Sequence, residues 1–286
     1  MADITIAGMM GAADGVTQAF LSQTYPALAA AVATPVTLVA IIYWALYGYQ
    51  LFDGATGFQW KDCLARLVMT GCVFGTLSWG GLAQRIYQIF ASTMESAAAT
   101  LIAGQPTATM LDALWNNVGQ VSTVLQNAGW QELSLILHGY GLFLLNCALF
   151  MLALVYMTIA KFGLAITMVL LPLFVGLFFF SQTRQWAMNW LSMMVNFTLV
   201  YILVNAIVRF GFFAFGNAID DVAQAAGALD AASITVKQIA YMYVVEGVLI
   251  IFMLQVKGWA SALAGGATVQ GLSAIMMLVR MATIKK

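Results

Sequence analysis

From Gly15 to Phe52 the chain carries no aspartate, glutamate, lysine or arginine. It carries none between Lys161 and Arg184 either, across "FGLAITMVLLPLFVGLFFFSQT". A water-soluble fold cannot bury uncharged runs of that length and still cover itself with polar surface. Runs of about 20 apolar residues are what a helix needs to cross the ~30 Å hydrocarbon layer of a bilayer. Charged residues make up 8% of the 286-residue chain and hydrophobic ones 63%, against about 25% charged in soluble domains. The chain therefore reads as all-α and polytopic in a membrane.

The formal net charge is zero, so no basic signature points to nucleic acid or anionic lipid. The cysteines are Cys63, Cys72 and Cys147, with no CxxC pair. Cys63 and Cys72 fall on opposite faces of one helix and read as small buried hydrophobes, not a disulfide framework. The start, "MADITIAGMMGAADGVTQAF", has Asp3 and Asp14 as its only charges and no basic segment. That does not fit a cleaved signal peptide and suits an N-terminus outside the cytoplasm.

The first span is expected over 27–50, with Pro26 and Pro35 in its early part and Tyr43, Trp44, Tyr47 and Tyr49 as an interfacial belt at its far end. The second is expected over 64–82, where Gly71 and Gly75 stand at GxxxG spacing, a helix-packing signal or a coincidence in a chain with 25 glycines. Residues 83–132 are more polar. Within them, apolar residues at 111, 114, 118, 121, 125 and 128 have helical spacing, with Thr109 and Asp112 resembling a capping box. The expectation is an amphipathic helix outside the hydrocarbon, lying on its own protein, on the membrane surface or on a partner. Further spans are expected over 134–159, 187–215 and 238–256, with a polar loop at 216–237. The segments are thus 1–26 (periplasmic), 27–82 (two spans), 83–133 (periplasmic loop), 134–257 (membrane core) and 258–286 (cytoplasmic tail).

The stretch 162–183 decides the topology. If it crosses, both termini share a side and Lys61, Arg66 and Lys161 fall outside. If it enters and returns, about five spans remain and eight of the eleven lysines and arginines lie on the C-terminal side. The positive-inside rule prefers the second arrangement. That gives N-out, C-in, with five helices plus one re-entrant or Pro-broken hydrophobic hairpin at Pro172. Broken backbone at membrane depth must be buried in protein or face a watery cavity.

Arg209 and Glu246 lie at similar distances from the outer ends of consecutive antiparallel spans, which suggests an ion pair, or separate snorkelling. His138, the only histidine, reads as packed or interfacial. "RQWAMNW" reads as a helix start with Trp186 and Trp190 as interfacial anchors, and "SALAGGATVQG" as a flexible connector. No HExxH, no carboxylate cluster within the membrane and no GxxxxGK[ST] is present, so neither cofactor, metal nor enzymatic chemistry is expected.

The run "KFGLAITMVLLPLF", followed by "FFSQTRQW…NW" and then "WASALAGGA" at 259–267, resembles the TrbL-like polytopic inner-membrane subunits of type IV secretion systems, the family of the sixth VirB operon product. The resemblance extends over about 134–267. It implies an oligomeric inner-membrane ring, five-fold by pilus symmetry, that serves as a channel or scaffold for pilus assembly and substrate passage. It implies as partners pilin, the minor pilus-tip subunit, bitopic scaffold subunits, secretion ATPases, membrane lipid and transient DNA or protein. Pro172, Arg184, Trp186, Arg209, Glu246, Gly265 and Gly266 are the structural and interaction candidates. A small-solute transporter or ion channel is the alternative. It would need polar groups converging mid-membrane, where only Asn146, Asn196 and Asn205 stand.

Overall fold

The structure is a computed structural model and describes residues 6–54, 57–101, 107–128, 132–227 and 235–266. The helices are α1 (Ile6–Phe52), α2 (Trp60–Gly75), α3 (Gln84–Leu101), α4 (Thr107–Gln126), α5 (Leu133–Val169), the short α6 (Leu171–Val175), α7 (Arg184–Gly227) and α8 (Val236–Ser261). There is no strand among the described residues. The protein is an all-α polytopic membrane protein: four helices are long and apolar enough to cross a bilayer, or five if α2 and α3 together make one bent span.

The helices are longer than the sequence suggested. α1 has 47 residues, which at ~1.5 Å each is about 70 Å, twice the hydrocarbon thickness. Pro26 and Pro35 lie inside it without ending it. Along it, Leu21, Tyr25, Ala29, Val36, Ala40, Tyr43 and Tyr47 are buried while Leu38, Ile41, Ile42 and Leu46 are exposed. Buried positions three, four or seven apart form one seam, and the apolar remainder suits lipid.

α5 is a single helix of 37 residues. The expected span 134–159 therefore runs on through Lys161 to Val169. The Pro-broken turn expected at Pro172 is present, and the stretch 162–183 is no helix of its own. Its first part is the end of α5, and the remainder breaks at Leu170 and turns into α7. A second break lies at 76–78, which sequence reasoning missed: α2 and the helix from Trp79 to Leu101 meet at 93°.

The contacts divide the chain into two compact units, Ala13–Thr93 with Lys161–Thr198, and Met1–Ala12 with Met94–Ala160 and Leu199–Lys286. In the second, α4 buries Leu111, Leu114, Val118, Val121 and Leu125, the stripe read from the sequence. Ser122 Oγ donates to the Gly139 carbonyl at 2.8 Å, and Trp115 packs on Phe150 with ring centroids 4.9 Å apart. The amphipathic helix thus lies on its own protein. It starts at Thr107, so Thr109 is inside it and is not its cap. The capping box present is Thr235–Gln238, which opens α8.

Cys63, Cys72 and Cys147 are free, and Cys72 is exposed and not buried. Gly71 has open space around it, so the pair does not act as a GxxxG seat, and Gly75 abuts only Leu82 of the next helix, across the 76–78 bend. The charged tail residues Arg280, Lys285 and Lys286 lie outside the described residues.

Candidate functional site

The best-built feature of the first unit is the reversal from α5 into α7. Pro172, having no N–H, cannot donate to Met168, so the helix cannot continue unbroken. It takes the second position of α6, where that loss matters least. α6 passes into a single 3-10 turn, Gly176–Phe179. Thr183 Oγ1 then closes the turn by donating to the Leu177 carbonyl at 2.7 Å. Ending α5 at Val169 leaves its last carbonyls without helical donors. One is taken up across the reversal: Trp190 Nε1 donates to the Thr167 carbonyl at 2.8 Å. The same indole stacks on Phe174, with centroids 6.3 Å apart.

Four helical positions before Thr167, a Cβ on Gly163 would overlap the Phe197 ring. Glycine is what lets α7 approach α5 there. The outer side of the reversal is also held. Tyr43 of α1 meets Phe179 at 5.1 Å between centroids, and the Arg66 guanidinium lies 5.1 Å and 4.2 Å from the ring centroids of Tyr43 and Tyr47. Those two tyrosines are buried under the arginine and do not form a lipid-facing belt, whereas Tyr49 is exposed. The arrangement has no nucleophile–base pair. It is a rigid elbow made of aromatic contacts and capped carbonyls.

The α2–α3 bend is held in the same way. Tyr25, fully buried in α1, donates its hydroxyl to the Thr76 carbonyl at the end of α2 and packs on Trp79 at 5.1 Å.

Lys161 and Asp14 form an ion pair at 2.5 Å, with side-chain exposures of 7% and 43%. The sequence reading put Asp14 on the outer side and Lys161 on the inner. A direct contact places them at one level, so that pair of assignments cannot stand. Asp14 is 29 residues from Tyr43 along one continuous helix, about 43 Å at ~1.5 Å each. Charge counting could not foresee this, because it fixes a residue's side of the membrane only where helices match the bilayer in length.

The candidate residues separate. Pro172 is buried in the elbow and Arg184 is the first residue of α7. Trp186 is exposed as expected, but Trp190 is buried inside the elbow and is no interfacial anchor. Gly265 has φ of 101° in the turn that follows α8, a left-handed conformation that glycine tolerates, and Gly266 ends that turn.

Arg209 and Glu246 do not pair. α7 and α8 are antiparallel, with Phe210 beside Phe252 and Gly211 against Leu249. Taken together with Phe215 beside Tyr241, these contacts set Glu246 on average level with Phe213, roughly four residues from Arg209, or about 6 Å along the axis. Arg209 is half-buried, whereas Glu246 is 2% exposed and neither of its carboxyl oxygens has a hydrogen-bond partner. Glu246 interrupts the buried seam of Ile239, Met242, Leu249, Met253 and Val256. Asn146 on α5 is likewise buried with both side-chain polar atoms unpartnered, while Asn205 donates to the Tyr201 carbonyl at 2.6 Å. His138 packs on Tyr243, whose hydroxyl donates to the His138 carbonyl at 2.9 Å.

The family model of the TrbL/VirB6 plasmid conjugal transfer proteins matches residues 40–256, from about the last quarter of α1 through most of α8. Over 189 residues the chain is 24% identical to the type IV secretion system protein VirB6 of Bartonella henselae, covering 64% of this chain and 59% of that protein. It is 23% identical over 188 residues to the VirB6 of Bartonella quintana, with the same coverage. The match spans about three-fifths of these relatives' length.

Proposed function

The chain belongs to the TrbL/VirB6 family, and on that footing we propose that it is a multi-pass inner-membrane component of a type IV secretion system. In this reading it acts as a non-enzymatic scaffold or channel subunit. Copies assemble into a ring that supports pilus assembly and lets DNA or protein pass, driven by the secretion ATPases. Pilin, the minor pilus-tip subunit and the bitopic scaffold subunits are its partners.

One observation carries the reading: the family match takes in the whole α5–α7 elbow and the helices it braces. The physical arrangement is in keeping with it. An elbow closed by capped carbonyls and packed rings resists deformation, as a load-bearing subunit must. The long helices also display exposed apolar side chains over much of their length, among them Leu38, Ile41, Leu144, Met151, Val244 and Ile251, which need lipid or other subunits to cover them.

The orientation, N-terminus periplasmic and C-terminus cytoplasmic, belongs to the same proposal. It rests on the basic residues near Arg66 and Arg184 and on a count of five spans.

A single observation favours solute transport instead, namely the unpartnered carboxyl of Glu246 inside a membrane helix. One experiment separates the two. Deleting the gene from a conjugative donor should abolish transconjugants, with recovery on complementation. Unchanged transfer together with lost uptake of a solute would replace the proposal with the alternative. Imaging the purified protein would then report ring symmetry.

A further inference from the structure

Within the first unit, the early part of α1 stands apart from the start of α3 across a cleft of about 550 Å³. Gln18 and Ser22 line one wall, Gln84, Tyr87 and Gln88 the other, and Trp79 the end nearest the α2–α3 bend. The volume is within the roughly 300–1,000 Å³ of small-ligand sites. Gln18 and Gln88 are exposed, so the cleft opens to the surface. Asp14 and Arg85 are neighbours in sequence of the two walls, although neither lines the cleft. Gln18 and Ser22 precede residue 40, where the family match begins.

The chemistry of the lining narrows what can occupy it. No charged side chain lines the cleft, so nothing would compensate a phosphate of nucleic acid or an anionic headgroup. An acyl chain would cover three amides without pairing them, which costs binding energy. A glycan would need an open aromatic face, but Trp79 is already flanked by Tyr25 at 5.1 Å and Tyr87 at 6.2 Å. The primary amides of Gln18, Gln84 and Gln88 make no hydrogen bond among the described residues. Each offers donors and an acceptor, the complement of a peptide group.

We propose that this cleft binds an uncharged, extended stretch of polypeptide from another protein, held through its main chain by the three glutamine amides. Main-chain recognition makes the site tolerant of sequence and intolerant of charge. The proposal goes beyond the secretion reading and does not depend on it, because binding is read on the purified protein without any transfer assay.

The test uses the full chain in detergent and a diazirine-tagged library of blocked, uncharged hexapeptides. Mass spectrometry should place the cross-links mainly in 15–22 and 79–88. Labelling should fall about five-fold or more in Gln84→Ala/Gln88→Ala and in Gln18→Lys, because amide hydrogen bonds supply the affinity. It should be unchanged in Gln50→Ala, at an exposed glutamine elsewhere on α1, and a library of acidic hexapeptides should label weakly. Labelling spread evenly over the apolar surface, labelling equal in all variants, or displacement by chitohexaose would each overturn the proposal. The last result would make the cleft a glycan site.

Discussion

Replacing Glu246 with methionine should make the protein more stable. The residue lies in the buried seam of α8, between Tyr243, which reaches α5, and Leu249, which meets α7 at Gly211. It is 2% exposed and both oxygens lack partners. Burying a polar group without a hydrogen bond costs about 1–3 kcal/mol in protein series. Methionine removes that cost and adds apolar burial at about 0.8 kcal/mol per methylene. The expected gain is about 2–4 kcal/mol. At about 2–4 °C per kcal/mol for domains of ~150–250 residues, the unfolding midpoint in detergent should rise by roughly 4–16 °C. Glu246→Gln, which keeps an unpaired polar group, should gain far less. A cycle with Arg209→Met isolates the pair: independent sites add to within about 0.5 kcal/mol, and exchanging the two charges should not rescue either single reversal. A destabilised Glu246→Met, or a coupling above about 1 kcal/mol with Arg209, would refute the register that separates the two.

The ion pair at Lys161 should respond asymmetrically. Asp14→Ala takes the carboxylate from a lysine that is 7% exposed and should cost about 1–3 kcal/mol, less than a fully buried pair because Asp14 stays 43% exposed. Lys161→Met should cost less, with chemical denaturation as the readout for both. Trp190→Phe keeps the stacking on Phe174 but removes the donor to the Thr167 carbonyl, for a loss of about 1–3 kcal/mol. Hydrogen exchange should show that loss at the end of α5 first. Gly141→Ala places a methyl where the Tyr243 hydroxyl now lies. It should break that tyrosine's bond to the His138 carbonyl and cost about 1–3 kcal/mol by overpacking, whereas Gly247→Ala, in open space, should be near neutral in the same unfolding assay.

Several features of the fold were legible in the sequence because they are properties of short stretches. Uncharged runs longer than a bilayer specify apolar helices whatever surrounds them. The stripe on α4 followed from the 3.6-residue period, the break at Pro172 from a missing N–H, and the start of α7 from the run "RQWAMNW" at Arg184. The positions where the reading failed are those where two distant stretches meet. Lys161 finds Asp14 from 147 residues away, and Tyr25 finds the carbonyl of Thr76 from 51. Trp190 turns inward to cap Thr167, and Glu246 misses Arg209 by more than one helical turn. A helix advances ~1.5 Å and turns about 100° with each residue. Sequence can mark which face is apolar, but the sliding and rotation of one helix against another are set by how side chains such as Phe197 fit over Gly163. Composition and periodicity therefore determined that this chain makes long membrane helices, and only tertiary packing decided which of its few polar groups would meet and which would be left without partners.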